Sequence, residues 1–254
     1  MISYLPGRGM RVTRNPSHCR SVHPAMSGEW EWKWDDDLRE IEERMYKDLR
    51  AAVEGTENDG WQFVKEVKGT RIFRKVEEGS KFHIMKGTGI VPASIHEVAD
   101  LIWNLSRRKE YDGMYIEKDS SMLADLGPSD HSDAGQVSLQ SFHTTSILVA
   151  RRDFAILRCR KEENGCIWIP GASMPPEFEA HRPEIARRKR YVRGRLAASG
   201  FHLTPVTGAS HMSVLTYVVQ MDPAGWIPAA LANKIAVRQP LNVSVIRSLF
   251  EQSH

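Results

Sequence analysis

The sequence predicts an α+β fold, and three observations lead to it. An amphipathic helical segment opens the patterned part of the chain and another closes it. Between them, strand-like runs follow one another directly, interrupted by one short helical pair near residues 94–112. Strands that alternated with helices would indicate a parallel sheet, whereas long uninterrupted strand runs indicate antiparallel pairing.

The first helix is expected from Asp35 to Gly55. Leu38, Ile41, Met45, Leu49 and Val53 recur at steps of three and four and share one face. Asp35, Asp36 and Asp37 sit where the helix dipole favours anions, and Gly55 can end the helix. Glu40 with Arg44 and Glu43 with Lys47 form i, i+4 pairs on the expected wet face. Trp30, Trp32 and Trp34 precede it and read as a structural anchor. Three strands follow: Trp61 to Val67, Thr70 to Val76 and Phe82 to Val91. Lys68-Gly69 and Glu78-Gly79-Ser80 supply their turns.

Ser94-Ile-His-Glu97 is a capping box. It opens a helix with Ile95, Val98, Leu101, Ile102 and Leu105 inward. Ser106 to Asp112 reads as a second short helix. Strands are then expected at about 114–124, 135–144, 151–161, 166–172, 190–197, 200–206 and 211–221. Asp222-Pro223-Ala-Gly225 makes a turn, and Pro228 suits the first turn of the last helix. Ile227, Leu231 and Ile235 form one apolar stripe there. Pro240 should kink that helix, with Leu241, Val245 and Leu249 continuing the stripe beyond.

Several strands lack a polar face. In residues 150–161, Phe154 and Ile156 lie on one side, followed by Arg158 and Arg160, with Ala155, Leu157 and Cys159 on the other. In residues 211–221, Leu215, Tyr217, Val219 and Met221 alternate with Val214, Thr216 and Val218. A sheet apolar on both faces must be covered on both. The few helices offer little cover. Either the sheet curls strongly on itself, or one face lines a cavity; an ordinary packed core is the plain alternative.

Composition narrows the function. The 254 residues are 41% hydrophobic, enough for a sizeable core. The longest apolar runs, such as Ile147 to Ala150, fall far short of the roughly 18 residues a membrane helix needs. No signal-peptide core is evident. Three cysteines, Cys19, Cys159 and Cys166, form no even framework and suit a reducing cytosol. Residues 1–28 carry four arginines and no acid against a chain total of +3, so the rest is close to neutral and no nucleic-acid partner is expected. Residues 1–34 read as a basic, disordered tail. A mitochondrial transit peptide is the alternative, although Pro6, Pro16 and Pro24 would break its helix, and Met26 offers an alternative start.

Catalytic signatures are missing. There is no G-x-S-x-G, H-E-x-x-H or Walker loop. Gly87-Thr88-Gly89 lacks the third glycine of a dinucleotide loop. Cys159 and Cys166 lack a second pair, so no zinc or other metal is expected, nor any cofactor. Asp130-His131-Ser132-Asp133 reads as a solvated loop. Residues 181–195 (HRPEIARRKRYVRGR) hold seven Lys and Arg and one acid. Arg187, Arg188, Lys189 and Arg190 could meet anionic headgroups. Ile147, Leu148 and Val149 stand where polar turn residues are expected.

Certain landmarks form a recognisable set: Trp61, Tyr111-Asp112, Arg152-Asp-Phe154 with Arg158 on the same strand, Tyr191-Val-Arg193-Gly, Gly200-Phe-His-Leu203, and Asp222-Pro-Ala-Gly-Trp-Ile-Pro228. The chain from about 35 to 252 resembles a START domain, the StAR-related lipid-transfer module. The resemblance implies a helix-grip fold, in which a curved antiparallel sheet grips a long C-terminal helix around a tunnel for one lipid. It implies no catalysis, a monomer, transient membrane contact and a cytoplasmic, peripheral location. Phe154, Ile156, Tyr217, Leu231 and Ile235 are then expected to line the tunnel, with Ile147, Leu148 and Val149 as its membrane-facing gate.

Two departures matter. Tyr111 stands where the family usually has Trp. Arg158 matches the family's buried arginine, but Val137-Ser-Leu-Gln140-Ser-Phe-His143 on the preceding strand offers no acid to pair with it. Arg158 must therefore meet water, Gln140, an acid from elsewhere, or the ligand's headgroup, which a phosphate-bearing lipid would suit. A helix-grip cyclase or hydrolase acting on an apolar substrate is one alternative. A membrane or RNA adaptor using residues 181–195 is another.

Overall fold

A computed structural model of the chain describes residues 32–144, 149–181, 185, 188–197 and 199–252. Helix α1 (Asp36–Glu54) is followed by strands β1 (Trp61–Val67), β2 (Thr70–Lys75) and β3 (Ile84–Val91). Helix α2 (Ile95–Trp103) and, after a 3-10 turn at Leu105–Arg107, α3 (Arg108–Tyr111) come next. Then come β4 (Ser121–Gly127), β5 (Ala134–Phe142), β6 (Arg151–Glu163), β7 (Cys166–Ser173) and α4 (Pro176–His181). Short strands β8 (Tyr191–Arg193) and β9 (Arg195–Leu196) precede β10 (Ser199–Val206), β11 (Ala209–Val219) and β12 (Met221–Asp222). Helices α5 (Ala229–Ala236) and α6 (Asn242–Glu251) follow.

The main sheet runs β1-β2-β3-β11-β10-β7-β6-β5-β4, with β8 added parallel to β6. Its other pairings are antiparallel, and β9 pairs with β12 apart from it. Alternation along the strands sorts the side chains into two cores. Ala155, Leu157, Cys159 and Val218 point to the face that α1 covers with Leu38, Ile41, Met45 and Leu49. Leu215, Tyr217, Val219 and Phe201 point to the opposite face, beneath α2 and α6. The sheet that is apolar on both sides is covered on both.

Local chemistry fixes the ends of the helices. Asp35 caps α1 by accepting from the Leu38 N–H at 2.9 Å. Ser94 and Glu97 exchange the two bonds of the capping box. The last turn of α1 has no basic residue. Lys86 of β3 supplies one from across the fold, donating to the Ala52 and Gly55 carbonyls at 3.0 and 2.8 Å. Trp34 anchors the approach to α1 by lying against Gly135, where any side chain would collide with its indole.

Some expected elements differ. No continuous strand spans 114–124. A 3-10 turn at Glu117–Asp119 divides it, and β4 begins only at Ser121. The Asp112 carboxylate accepts from the Met114 N–H at 3.1 Å, and the Ser120 hydroxyl donates to the Ile116 carbonyl at 2.8 Å, so local turns consume the backbone groups a strand would need. The strand expected at 190–197 breaks at Gly194, whose backbone presses against the Phe154 ring. Helix α4 had no expectation. The last helix is interrupted, not merely kinked: Gln239–Leu241 forms a 3-10 turn around Pro240. That turn shifts the phase of the stripe. Val243 and Ile246 are the fully buried apolar residues beyond it, Leu249 packs partly buried against the same core, and Val245 is exposed. Gly87 and Gly89 make the bed for this break. A Cβ at Gly87 would lie 2.6 Å from Pro240 Cβ.

Candidate functional site

Between the inner face of β5, β6, β7, β10 and β11 and the underside of α5 lies a cavity. Its volume is about 110 Å³, so the bore is narrow. Phe154, Ile156 and Arg158 line it from β6, Gln140 and Phe142 from β5, and Tyr217 and Val219 from β11. The roof is Ile227, Leu231 and Ile235, the helical stripe of the sequence, although Leu231 is also 41% exposed. Tyr217 stacks on Phe201 at 4.3 Å, and Phe142 meets Phe154 edge-on at 5.6 Å. No carboxylate is found among the described lining residues.

Arg158 is buried at one end of this space. Its Nη2 donates to the Ile102 carbonyl of α2 at 2.6 Å, and its guanidinium lies 5.2 Å over the Trp103 ring. Its Nη1 has no partner. Burial pulls the guanidinium down to about 10. Gln140 does not serve it. The Gln140 amide donates to Ser138 Oγ at 2.9 Å, its Oε1 has no partner, and the residue opposite Arg158 across the ladder is Gln136. Nothing in the sequence analysis singled out Arg108, yet it lines the same cavity. It bonds Asp112 at 3.2 Å and lies near the rings of Tyr115 and Phe142. Burial alone would lower it, but Tyr111 and Asp112 outweigh burial and hold it above the usual arginine range. Its i, i+4 spacing to Asp112 was the available signal.

The motifs that lie far apart in sequence meet at the rim. Arg152 donates to the Pro223 and Ala224 carbonyls at 2.9 and 3.1 Å, and also to that of Ala150, pinning the Asp-Pro-Ala-Gly turn to β6. Asp153, buried, receives Arg188 at 3.0 Å and Arg193 at 2.9 Å. The pinned turn leaves Trp226 94% exposed, between cavity-lining Pro223 and Ile227. On the far side of α5, Asn233 accepts from the His83 N–H at 3.0 Å and donates to the Lys81 carbonyl at 3.1 Å.

The expected docking cluster divides. Lys189 and Arg190 are exposed. Arg188 instead turns inward: besides Asp153 it donates to the Asp119 carbonyl and Ser141 Oγ, and it stacks 4.0 Å over Tyr191. A side chain with those partners braces the rim. Arg187 lies outside the described residues, as do Ile147 and Leu148. Val149 lines the mouth beside Thr144, whose hydroxyl donates to the Val149 carbonyl at 2.7 Å. His131 and Asp133 are used locally, His131 beside Glu43 at 3.1 Å and Asp133 capping the Glu162 N–H at 2.7 Å. Among the described residues no cluster could hold a metal, and no helix is long and apolar enough to cross a membrane.

Comparison with known proteins gives a consistent picture. The family model described as START domain matches residues 33–247. Human StAR-related lipid transfer protein 5 superposes with a TM-score of 0.68 at 19% identity, over 85% of this chain and 97% of that one. Human STARD10 gives 0.65 at 20%, over 89% and 86%. A STAR-related lipid transfer protein of Xanthomonas axonopodis gives 0.62 at 20%, over 76% and 100%. At these identities the likeness is one of fold. The mitochondrial steroidogenic acute regulatory protein of Equus caballus is 28% identical over 88 residues, which span 35% of this chain and 29% of that protein.

Proposed function

The chain belongs to the START domain family, and from that premise we propose that it holds one lipid in the cavity beneath α5 and carries it between membranes. The observation that carries this reading is the narrow space itself, apolar along Phe154, Ile156, Tyr217, Leu231 and Ile235 and polar near Arg158. The mechanism is desolvation. Each CH₂ moved from water into such a cavity gains about 0.8 kcal/mol, so a long chain need never meet water in transit. Exposed Trp226, Lys189 and Arg190 suit brief contact with a membrane surface, and Thr144 and Val149, which flank the segment carrying Ile147 and Leu148 in sequence, line the cavity mouth. We assign that segment the role of gate. Carrying is favoured over chemistry because His143, the histidine of the described lining, has no carboxylate there to pair with.

The test is transfer. Purified protein should move a fluorescent lipid from donor to acceptor vesicles at a rate proportional to protein concentration. It should also emerge from mild purification with a lipid visible by native mass spectrometry. A protein that is empty and does not speed transfer of sterol, phospholipid or ceramide would sink the carrier reading.

A further inference from the structure

The inner end of the cavity holds one positive charge too many. Arg108 is neutralised by Asp112 at 3.2 Å, and both are buried. Arg158 has a backbone carbonyl and an indole, neither of which carries charge, and its Nη1 has no partner. The neighbouring polar side chains supply no anion. Gln140 and cross-strand Gln136 are neutral amides, and burial pushes the Tyr217 phenol up, so it stays protonated. The two guanidinia also repel each other, and Arg108 Nε is a second N–H without a partner. A buried charge left uncompensated is costly, and the cost disappears when a bound oxyanion takes charge-assisted bonds from it.

We propose that the ligand is an anionic amphiphile, with a carboxylate or phosphate head that accepts from the free Nη1–H of Arg158. A neutral lipid alcohol could accept the same bond but would leave the charge unbalanced. This inference rests on the lipid-carrier reading and narrows it to a class of headgroup. The Ile102 carbonyl and the Trp103 ring hold the rest of the guanidinium, so the seat exists before the ligand arrives.

Palmitate, palmitoyl-lysophosphatidate and hexadecanol share one saturated chain and differ in the head. Offered together to the full-length protein and read by native mass spectrometry, at least one anion should occupy it about tenfold more tightly than hexadecanol. Palmitate leading identifies a carboxylate seat, and the lysophosphatidate leading identifies a phosphate seat. Arg158→Gln should abolish the preference for the anion over hexadecanol, and Arg158→Lys should keep part of it. Equal occupancy by hexadecanol in the wild type overturns the inference and leaves the carrier reading standing. So does a preference that survives Arg158→Gln. A protein that holds neither these three nor any other lipid overturns both, and one that holds a neutral lipid but none of the three overturns the inference alone. The wild-type comparison decides the matter even if Arg158→Gln does not fold.

Discussion

Replacing Trp226 with alanine separates docking from holding. The side chain is 94% exposed and sits on a turn fixed by Arg152, so its removal leaves no cavity and breaks none of those bonds. Thermal unfolding should not change. A membrane interface offers an indole what water does not, an apolar bed with a polar edge. An aromatic ring buries about 150–250 Å² when fully covered, about 4–6 kcal/mol at 25 cal/mol per Å². Half-immersion, which keeps the indole N–H wet, leaves about 2 kcal/mol, or about 30-fold in vesicle affinity. Co-sedimentation with phospholipid vesicles reads that affinity, and intervesicle transfer of a fluorescent lipid reads its consequence. Both should fall together, while lipid occupancy in vesicle-free solution stays at the wild-type level. Unchanged vesicle affinity refutes the role. A drop in occupancy without vesicles would place Trp226 in holding the lipid instead.

Four further experiments probe separate parts. Asp153→Asn removes the buried negative charge that two arginines share and should lower urea stability by about 3 kcal/mol, against about 1 kcal/mol for the partly exposed Arg188→Gln; equal losses would mean that the Arg193 pair contributes little. Changing Lys189 and Arg190 together to glutamine should weaken binding to anionic vesicles at low salt by about 30-fold and leave neutral vesicles unaffected, whereas equal loss on both rules out electrostatic docking. Ile147→Ser with Leu148→Ser should slow transfer but not the binding of a detergent-solubilised lipid, and a normal transfer rate would remove them from the gate. Burial lowers His202 to about 4, so between about pH 6.5 and pH 4 the unfolded chain binds a proton that the folded chain refuses, and stability falls as pH falls through that window. His202→Phe keeps the stack on Trp168 and should make the acid decline shallower by about 1–2 kcal/mol, and parallel decline curves would contradict it.

Where local pattern decides structure, the sequence was legible. Helix α1 combines period, acidic first turn and cap, and β1 to β3 combine alternation with turn glycines. The pairing of motifs at the rim was legible only as a resemblance. Arg152 meets Pro223 across 71 residues and Asp153 meets Arg188 across 35, distances no periodicity reports. For the same reason the run around Arg188 looked like a uniformly solvated charge cluster, while one member was committed to the interior. Glu42 lies outside the apolar stripe of α1, and no local pattern marks it. It is fully buried, bonded to Ser129 at 2.7 Å and to Ser132, because the loop before β5 folds over α1. The apolar stripe of α5 was legible, and past Pro240 Leu241 and Leu249 pack against the core as expected, but Val245 is exposed and Val243 and Ile246 are buried instead. A 3-10 turn advances the helix by a different angle per residue and rotates the pattern that follows.

The two bonds of Asn233 have a kinetic meaning. They fasten the outer side of α5 to the loop before β3, and water can replace both partners, so releasing them costs about 1 kcal/mol each. Nothing in water can replace what Ile227 and Ile235 touch on the inner side. The barrier to lifting α5 therefore belongs almost wholly to its greasy underside, and only an aqueous surrounding makes that barrier high. Hydrocarbon would remove it. For the proposed carrier, a bilayer would thus act as a catalyst for exchange of the cargo, lowering the barrier in both directions without altering which lipid the interior prefers.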